Sequence, residues 1–140
     1  MKNKVLLWLD DIRNPFLADW VLQFAPEFHY EPEATEIFWV KNYDGFVDFI
    51  KEHGLPHTIA FDHDLGEDVA KSLVESGMNK KKARMIKRES KSGFDAAKWL
   101  VDYCIDNDFD LPNWTVQSAN PVGKDNINGI LNNYRNFRNK

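Results

Sequence analysis

Two apolar runs in this chain stop abruptly at acids. Val5-Leu6-Leu7-Trp8-Leu9 runs into Asp10-Asp11, and Thr58-Ile59-Ala60-Phe61 runs into Asp62-His63-Asp64. Short apolar runs bounded this way read as strands of a parallel sheet, buried on both faces. Asp-His-Asp is too polar to bury unless a metal, a cation or hydrogen bonds satisfy it. Parallel strands end on one rim, where open α/β sheets hold their ligands. A third strand end, Ser118-Ala119-Asn120, belongs on the same rim. Four carboxylates in one crevice (Asp10, Asp11, Asp62 and Asp64) call for a hard cation or for protons held among them. Oxygen ligands with open positions suit Mg²⁺ or Mn²⁺. Arg13 could fork onto a phosphate, and Ser118 and Asn120 could hydrogen-bond its oxygens. His63 could serve as general acid, general base or ligand.

Each residue also has a plainer use. Asp10-Asp11 could be a turn, Asp64 a cap, and Arg13 an ion-pair partner of an acid. Ser118 and Asn120 could be turn formers, since Asn before Pro is a turn signal. His63 could face away from the crevice, because alternate residues of an extended chain point to opposite sides. Matching chemistry at three separate strand ends favours the functional reading.

The elements that must position these groups alternate. Asn14 and Pro15 fit the cap and first position of a helix over about Pro15–Phe24, with a loop over Pro26–Glu36. Ile37–Val40 reads as a strand. Asp44 is expected to cap a helix carrying Phe46, Val47, Phe49 and Ile50, closed at Gly54. After the strand Thr58–Phe61, residues 67–91 form a polar, basic insertion, read as a surface excursion or a lid over the site, with a hint of helix at Leu73, Val74 and Met78. Ser92-Gly93-Phe94-Asp95 fits a capping box. The helix behind it is expected to put Phe94, Ala97, Leu100, Val101, Cys104 and Ile105 on one face. Trp114–Gln117 reads as a fourth strand. Ser118–Gly123 reads as a turn, and a last helix carries Ile127, Ile130, Leu131, Tyr134 and Phe137. Such alternation argues for a parallel sheet with helices on both faces, flavodoxin-like or Rossmann-like in strand order.

Composition sets the bounds. A chain of 140 residues, 43% apolar and 14% aromatic, suits one domain over residues 1–140 with a single core. The net charge of −4 carries no global sign of a nucleic-acid binder. The distribution says more: Lys80, Lys81, Lys82, Arg84, Lys87, Arg88 and Lys91 concentrate 7 of the 18 basic residues in one short segment. Such a segment beside an acidic site suits a polyanionic substrate. One cysteine, Cys104, excludes an intramolecular disulfide and a thiolate metal cluster, and is expected to be a core residue. No stretch has the form of a signal peptide or a membrane span, so a cytoplasmic protein is expected.

These residues carry a resemblance. Asp10-Asp11 after the first strand and Asp62 after the third follow the acidic layout of response-regulator receiver domains. The chain is more closely similar to the divergent family of cyclic-phosphate processing receiver domains. Its motifs are matched by Leu9-Asp10-Asp11-Ile12-Arg13-Asn14-Pro15, by Phe61-Asp62-His63-Asp64-Leu65-Gly66, by Ser92-Gly93-Phe94-Asp95 and by Ser118-Ala119-Asn120-Pro121-Val122-Gly123. The resemblance implies a three-layer, receiver-like (flavodoxin-like) α/β fold with a mainly parallel sheet of four to five strands. It implies a bacterial or phage protein that processes a cyclic phosphate or related phosphoester, in connection with RNA repair. Two features depart from the pattern. Gln117 stands where the family carries histidine, and no fifth strand with a closing lysine is found; Lys124 lies near the rim without being an obvious substitute.

The reading that follows is a metal-dependent phosphoesterase. Asp10, Asp11 and Asp62 hold Mg²⁺ or Mn²⁺; Asp62, His63, Asp64 and Arg13 are the catalytic candidates. Arg13, Ser118, Asn120 and Lys124 bind substrate, a phosphorylated small molecule or an RNA end. Two rivals remain. One is a non-catalytic receiver-like module that binds a nucleotide or a protein partner. The other is a haloacid-dehalogenase-like phosphatase using Asp62 and Asp64, a fold that wants this pair on its first strand.

Overall fold

A computed structural model describes residues 4–11, 14–16, 35–65, 73–89, 91–117 and 120–139. Most of the expected Pro15–Phe24 helix and of the 26–36 loop lies outside them, as do Arg13 and Ser118. Four strands form one sheet: β1 (Lys4–Leu9), β2 (Thr35–Val40), β3 (Thr58–Phe61) and β4 (Asn113–Val116). All pairings are parallel, in the order β2-β1-β3-β4. The fold is receiver-like α/β, as expected.

That order reverses direction between β1 and β3. The chain leaves β1 for β2 on one side, then crosses to β3 on the other. A crevice opens at the carboxyl ends of the strands that flank such a reversal. The register makes the rim level: Leu9 pairs with Phe61, and Phe61 with Val116. The next residues, Asp10, Asp62 and Gln117, therefore stand side by side. Backbone hydrogen bonds pin each one: Asp10 N–H donates to Val40 O at 3.1 Å, Asp62 N–H to Leu9 O at 2.9 Å and Gln117 N–H to Phe61 O at 2.8 Å.

The central strands are apolar because both of their faces are covered. Leu7, Leu9, Ile59, Phe61 and Val116 join one core with three helices, α1 (Tyr43–His53), α3 (Gly93–Asn107) and α4 (Pro121–Arg138). Helix α1 packs on α3, and α3 on α4. Leu6, Trp8 and Ala60, which point to the opposite face, are buried as well.

Helix boundaries follow capping chemistry, with three corrections. Asn42 rather than Asp44 caps α1: its Oδ1 accepts from Gly45 N–H at 2.8 Å, and Asp44 sits in the first turn. Starting two residues earlier puts Tyr43 in the first turn, where it packs against the core. The strand expected at Ile37 begins two residues sooner, at Thr35. The basic insertion is helical at residues 73–75, where a short helix was expected, and also contains a full helix that was not expected, α2 (Lys80–Glu89). Lys, Arg, Ala, Met and Glu are all strong helix formers, and Asn79 Oδ1 caps the start by accepting from Lys81 N–H at 2.7 Å. Ala83 is its buried contact.

The Ser92–Asp95 capping box and the Gly54 stop of α1 form as expected. Ile105 and Phe137 do not join the core faces of α3 and α4; both are exposed. Ile105 follows buried Cys104, and one residue turns 100° around a helix. Phe137 lies in the last turn of α4. Among the described residues, no helix is long and apolar enough to cross a membrane.

The end of the molecule opposite the rim is held by Arg138. Its guanidinium bonds Asp108, and its Nε donates to Asp110 Oδ1 at 2.9 Å, tying α4 to the α3–β4 loop. Cys104 and Tyr134 lie nearby, and the Tyr134 hydroxyl donates to Phe109 O at 2.8 Å. Burial pushes the Cys104 thiol up from 9.0 to about 11, with Arg138 opposing and Asp110 adding to the rise. Burial raises Tyr134 too. The unfolded chain releases the thiol proton near 9.0, and the folded chain holds it to about 11. The contribution of Cys104 to stability is therefore whole below that window and lost as pH rises through it. Denaturant midpoints should fall across this window, and Cys104→Ser should flatten the fall. Disulfide-exchange reagents should label Cys104 at pH 8 only after unfolding.

Candidate functional site

Asp10, Asp11 and Asp62 form a cluster at the β1/β3 switch point. They are only 0%, 3% and 5% exposed. One carboxylate oxygen from each lies within 4.8 Å of the others. Sheet register explains the neighbours Asp10 and Asp62; Asp11 joins them as the chain turns off β1. Three buried carboxylates at this spacing repel one another unless positive charge is supplied. Their all-oxygen donor set and spacing could hold a divalent metal ion.

Other contacts hold the cluster from behind. Trp39 Nε1 donates to Asp10 O at 2.7 Å, fixing the backbone where β1 ends. Lys41 Nζ rests 4.5 Å from the centre of the Trp39 ring. Gln117 is fully buried, and its Nε2 donates to Leu9 O and to Asp10 Oδ2, each at 3.3 Å.

Asp64, expected in the same crevice, pairs with its neighbour. His63 Nδ1 lies 3.0 Å from Asp64 Oδ1, with the two side chains 20% and 41% exposed. An ionised carboxylate only accepts hydrogen bonds, so this pairing puts the proton of a neutral ring on Nδ1. Two helices then close on this segment. Gly93 N–H donates to His63 O at 2.8 Å. A Cβ at Gly93 would overlap the Asp62 carbonyl oxygen, and one at Gly123 would overlap the His63 ring. Backbone stands in the way at Gly93, so glycine is required there; at Gly123 the obstacle is the His63 side chain, which must shift for any larger residue.

The remaining candidates divide. Asn120 caps α4, its Oδ1 accepting from Gly123 N–H at 3.1 Å. Lys124 is exposed in the first turns of α4, and its backbone N–H donates to Asn120 O at 2.9 Å. Arg13 and Ser118 lie outside the described residues. Sequence reasoning missed Trp39 as a support, and saw Gln117 only as a departure from the family pattern. It quoted both glycines within motifs without their reason. Two glycines, each near the start of a helix that follows a rim strand, were the available signal.

The two glycines separate stability from geometry. Gly93→Ala must displace backbone, and should cost on the order of 1–3 kcal/mol in denaturant unfolding. Gly123→Ala meets a movable ring, and alanine gains about 1 kcal/mol of helix propensity. It should leave stability within about 1 kcal/mol of the parent while shifting the His63 ring resonances in a ¹H–¹⁵N spectrum. Unshifted resonances would show that the ring does not rest on α4.

The comparisons agree with this geometry. Residues 5–133 match the model of a family described as the cyclic-phosphate processing receiver domain. Searches of curated proteins and of solved structures found no significant match. The match spans the four strands except for Lys4 and all but the last turns of α4, with the acid cluster inside it. The chain therefore belongs to the family of cyclic-phosphate processing receiver domains.

Proposed function

We propose that this chain is a metal-dependent phosphoesterase acting on a cyclic phosphate or a related phosphoester, such as a cyclic RNA end. The observation that carries this reading is the buried cluster of Asp10, Asp11 and Asp62 at the switch point. These three residues would hold Mg²⁺ or Mn²⁺. A divalent cation bound there polarises a phosphoryl group and makes water more acidic.

The chain's own residues account for the rest. His63, with its proton on Nδ1 toward Asp64, offers Nε2 to take a proton from an attacking water. Asp64 orients that ring and Gly123 sets its depth. Asp62 has a second role open to it: its carboxylate attacks phosphorus as one ring P–O bond breaks, the freed sugar oxygen takes a proton, and the phosphoryl group, still esterified to the sugar, stays on Asp62 until water releases it. Arg13 and Ser118 are assigned to the phosphate oxygens from their sequence positions. The Oδ1 of Asn120 is committed to the cap, so Asn120 would reach substrate through its amide nitrogen. Lys124 supplies an exposed positive charge.

The basic segment supports a polyanionic substrate. It connects the end of β3 to the start of α3, and both lie on the rim. Lys80, Lys81 and Lys82 are exposed, and Lys91 Nζ stacks 4.3 Å from the centre of the Tyr43 ring at the start of α1. The rival reading, a non-catalytic module that binds a nucleotide or protein partner, is favoured by one observation. Gln117 puts a neutral amide against the cluster, where histidine would offer a group able to transfer protons.

Calorimetric titration with Mg²⁺ and Mn²⁺ should give one site, lost in Asp62→Asn. A screen of 2′,3′-cyclic phosphates and cyclic nucleotides with the better metal should then give turnover that chelation abolishes. Metal binding without turnover on any of these would favour the binding module. A nucleotide trapped on Asp62 through its phosphoryl group would select the covalent route over attack by water.

Replacing Lys80, Lys81, Lys82 and Arg84 together by alanine should weaken binding of an oligonucleotide ending in a cyclic phosphate. It should also flatten the dependence of log Kd on log salt by up to about three to four units, if each residue meets one phosphate. Equal slopes for variant and parent would remove the basic segment from the site.

A further inference from the structure

Gln117 has a reach that its place in the sequence does not explain. It follows β4, yet its side chain passes over the end of β3 and ends on β1. Its nitrogen is 3.3 Å from Leu9 O and 3.3 Å from Asp10 Oδ2. Both partners are acceptors, so the orientation of the amide is dictated: nitrogen must face them. Both amide hydrogens are then used. The other end, Oε1, is buried and has no hydrogen-bond partner among the described residues. Buried carbonyl oxygens without a donor are uncommon. The two ends of a planar amide are about 2.3 Å apart. Oε1 therefore lies within one water molecule's reach of Asp10.

We infer that Gln117 is the positioning residue of the acid cluster. Its Nε2 holds Asp10 Oδ2 and so fixes the orientation of that carboxylate within the cluster. Its Oε1 accepts a hydrogen bond from the water or substrate hydroxyl that enters the cluster. An amide neither gains nor loses a proton in this role, so the β4 position orients the reacting group and His63 moves the proton. The inference rests on the reading of the cluster as a divalent-cation site.

The test uses the full chain with Mn²⁺ as probe, read by calorimetry and by electron paramagnetic resonance. Gln117→Leu keeps the bulk and removes both polar ends. Gln117→Asn keeps the amide but shortens the arm so that it cannot cross β3. Both should bind Mn²⁺ about 10- to 100-fold more weakly than the parent. Both should change the Mn²⁺ spectrum, with unchanged circular dichroism. Should Gln117→Leu fail to fold, the unbranched Gln117→Met carries the same expectation.

Parent-like affinity and spectrum in these variants would overturn the assignment and leave Gln117 a packing residue, with the metal site intact. No Mn²⁺ binding by the parent chain would overturn the metal reading itself, and this inference with it.

Discussion

The structure turns on one constraint: three carboxylates are buried at the point where a parallel sheet reverses its strand order. Everything near them limits the cost of that burial. Backbone N–H groups of Asp10 and Asp62 are bonded to neighbouring strands, so the acids stand on rigid elements rather than on loops. Leu9 O accepts twice, from Asp62 N–H at 2.9 Å and from Gln117 Nε2 at 3.3 Å. That carbonyl joins the ends of β1, β3 and β4. Groups tied to strand ends in this way are held more tightly than groups on loops away from the sheet.

Much of this was legible in the sequence, and the reason is periodicity. Leu6 to Leu9 and Ile59 to Phe61 are unbroken apolar runs, and a run buried on both faces has to belong to a central parallel strand. Where such a run stops at acids, the acids fall on the rim, so Asp10, Asp11 and Asp62 could be named together. Ser92 and Asp95 were readable because a capping box is a local pattern. Gln117 was not readable, because its role depends on a register shared by three strands far apart in sequence. Gly93 and Gly123 were hidden for the same reason: what each must avoid belongs to another element.

The misread elements share another cause. Asn42 and Asp44 are both good caps by residue type, and the helix is capped at Asn42, where Tyr43 can pack against the core. Helix α2 carries so many charges that its apolar signal is faint, and its strong helix formers were outweighed by its polarity in the reading of the sequence. Ile105 shows the converse failure. An apolar residue next to a core residue on a helix was assigned to the core, although the step between them turns it toward solvent.

The two glycines also bear on the charge of the site. Gly93 begins α3 against Asp62 and His63, and Gly123 lies in the first turn of α4 against His63. Both helices thus bring their positive ends to the acidic rim, and the absence of two methyl groups is what lets them come this close. A helix N-terminus acts as roughly half a positive charge, felt within about one turn. Two of them supply about one charge against the three that the cluster carries when fully ionised. A divalent cation, which the donor set could hold, would add to that compensation. On this argument the glycines, the strand register and the donor set are one device. Each lowers the cost of keeping three carboxylates together, and none removes it alone.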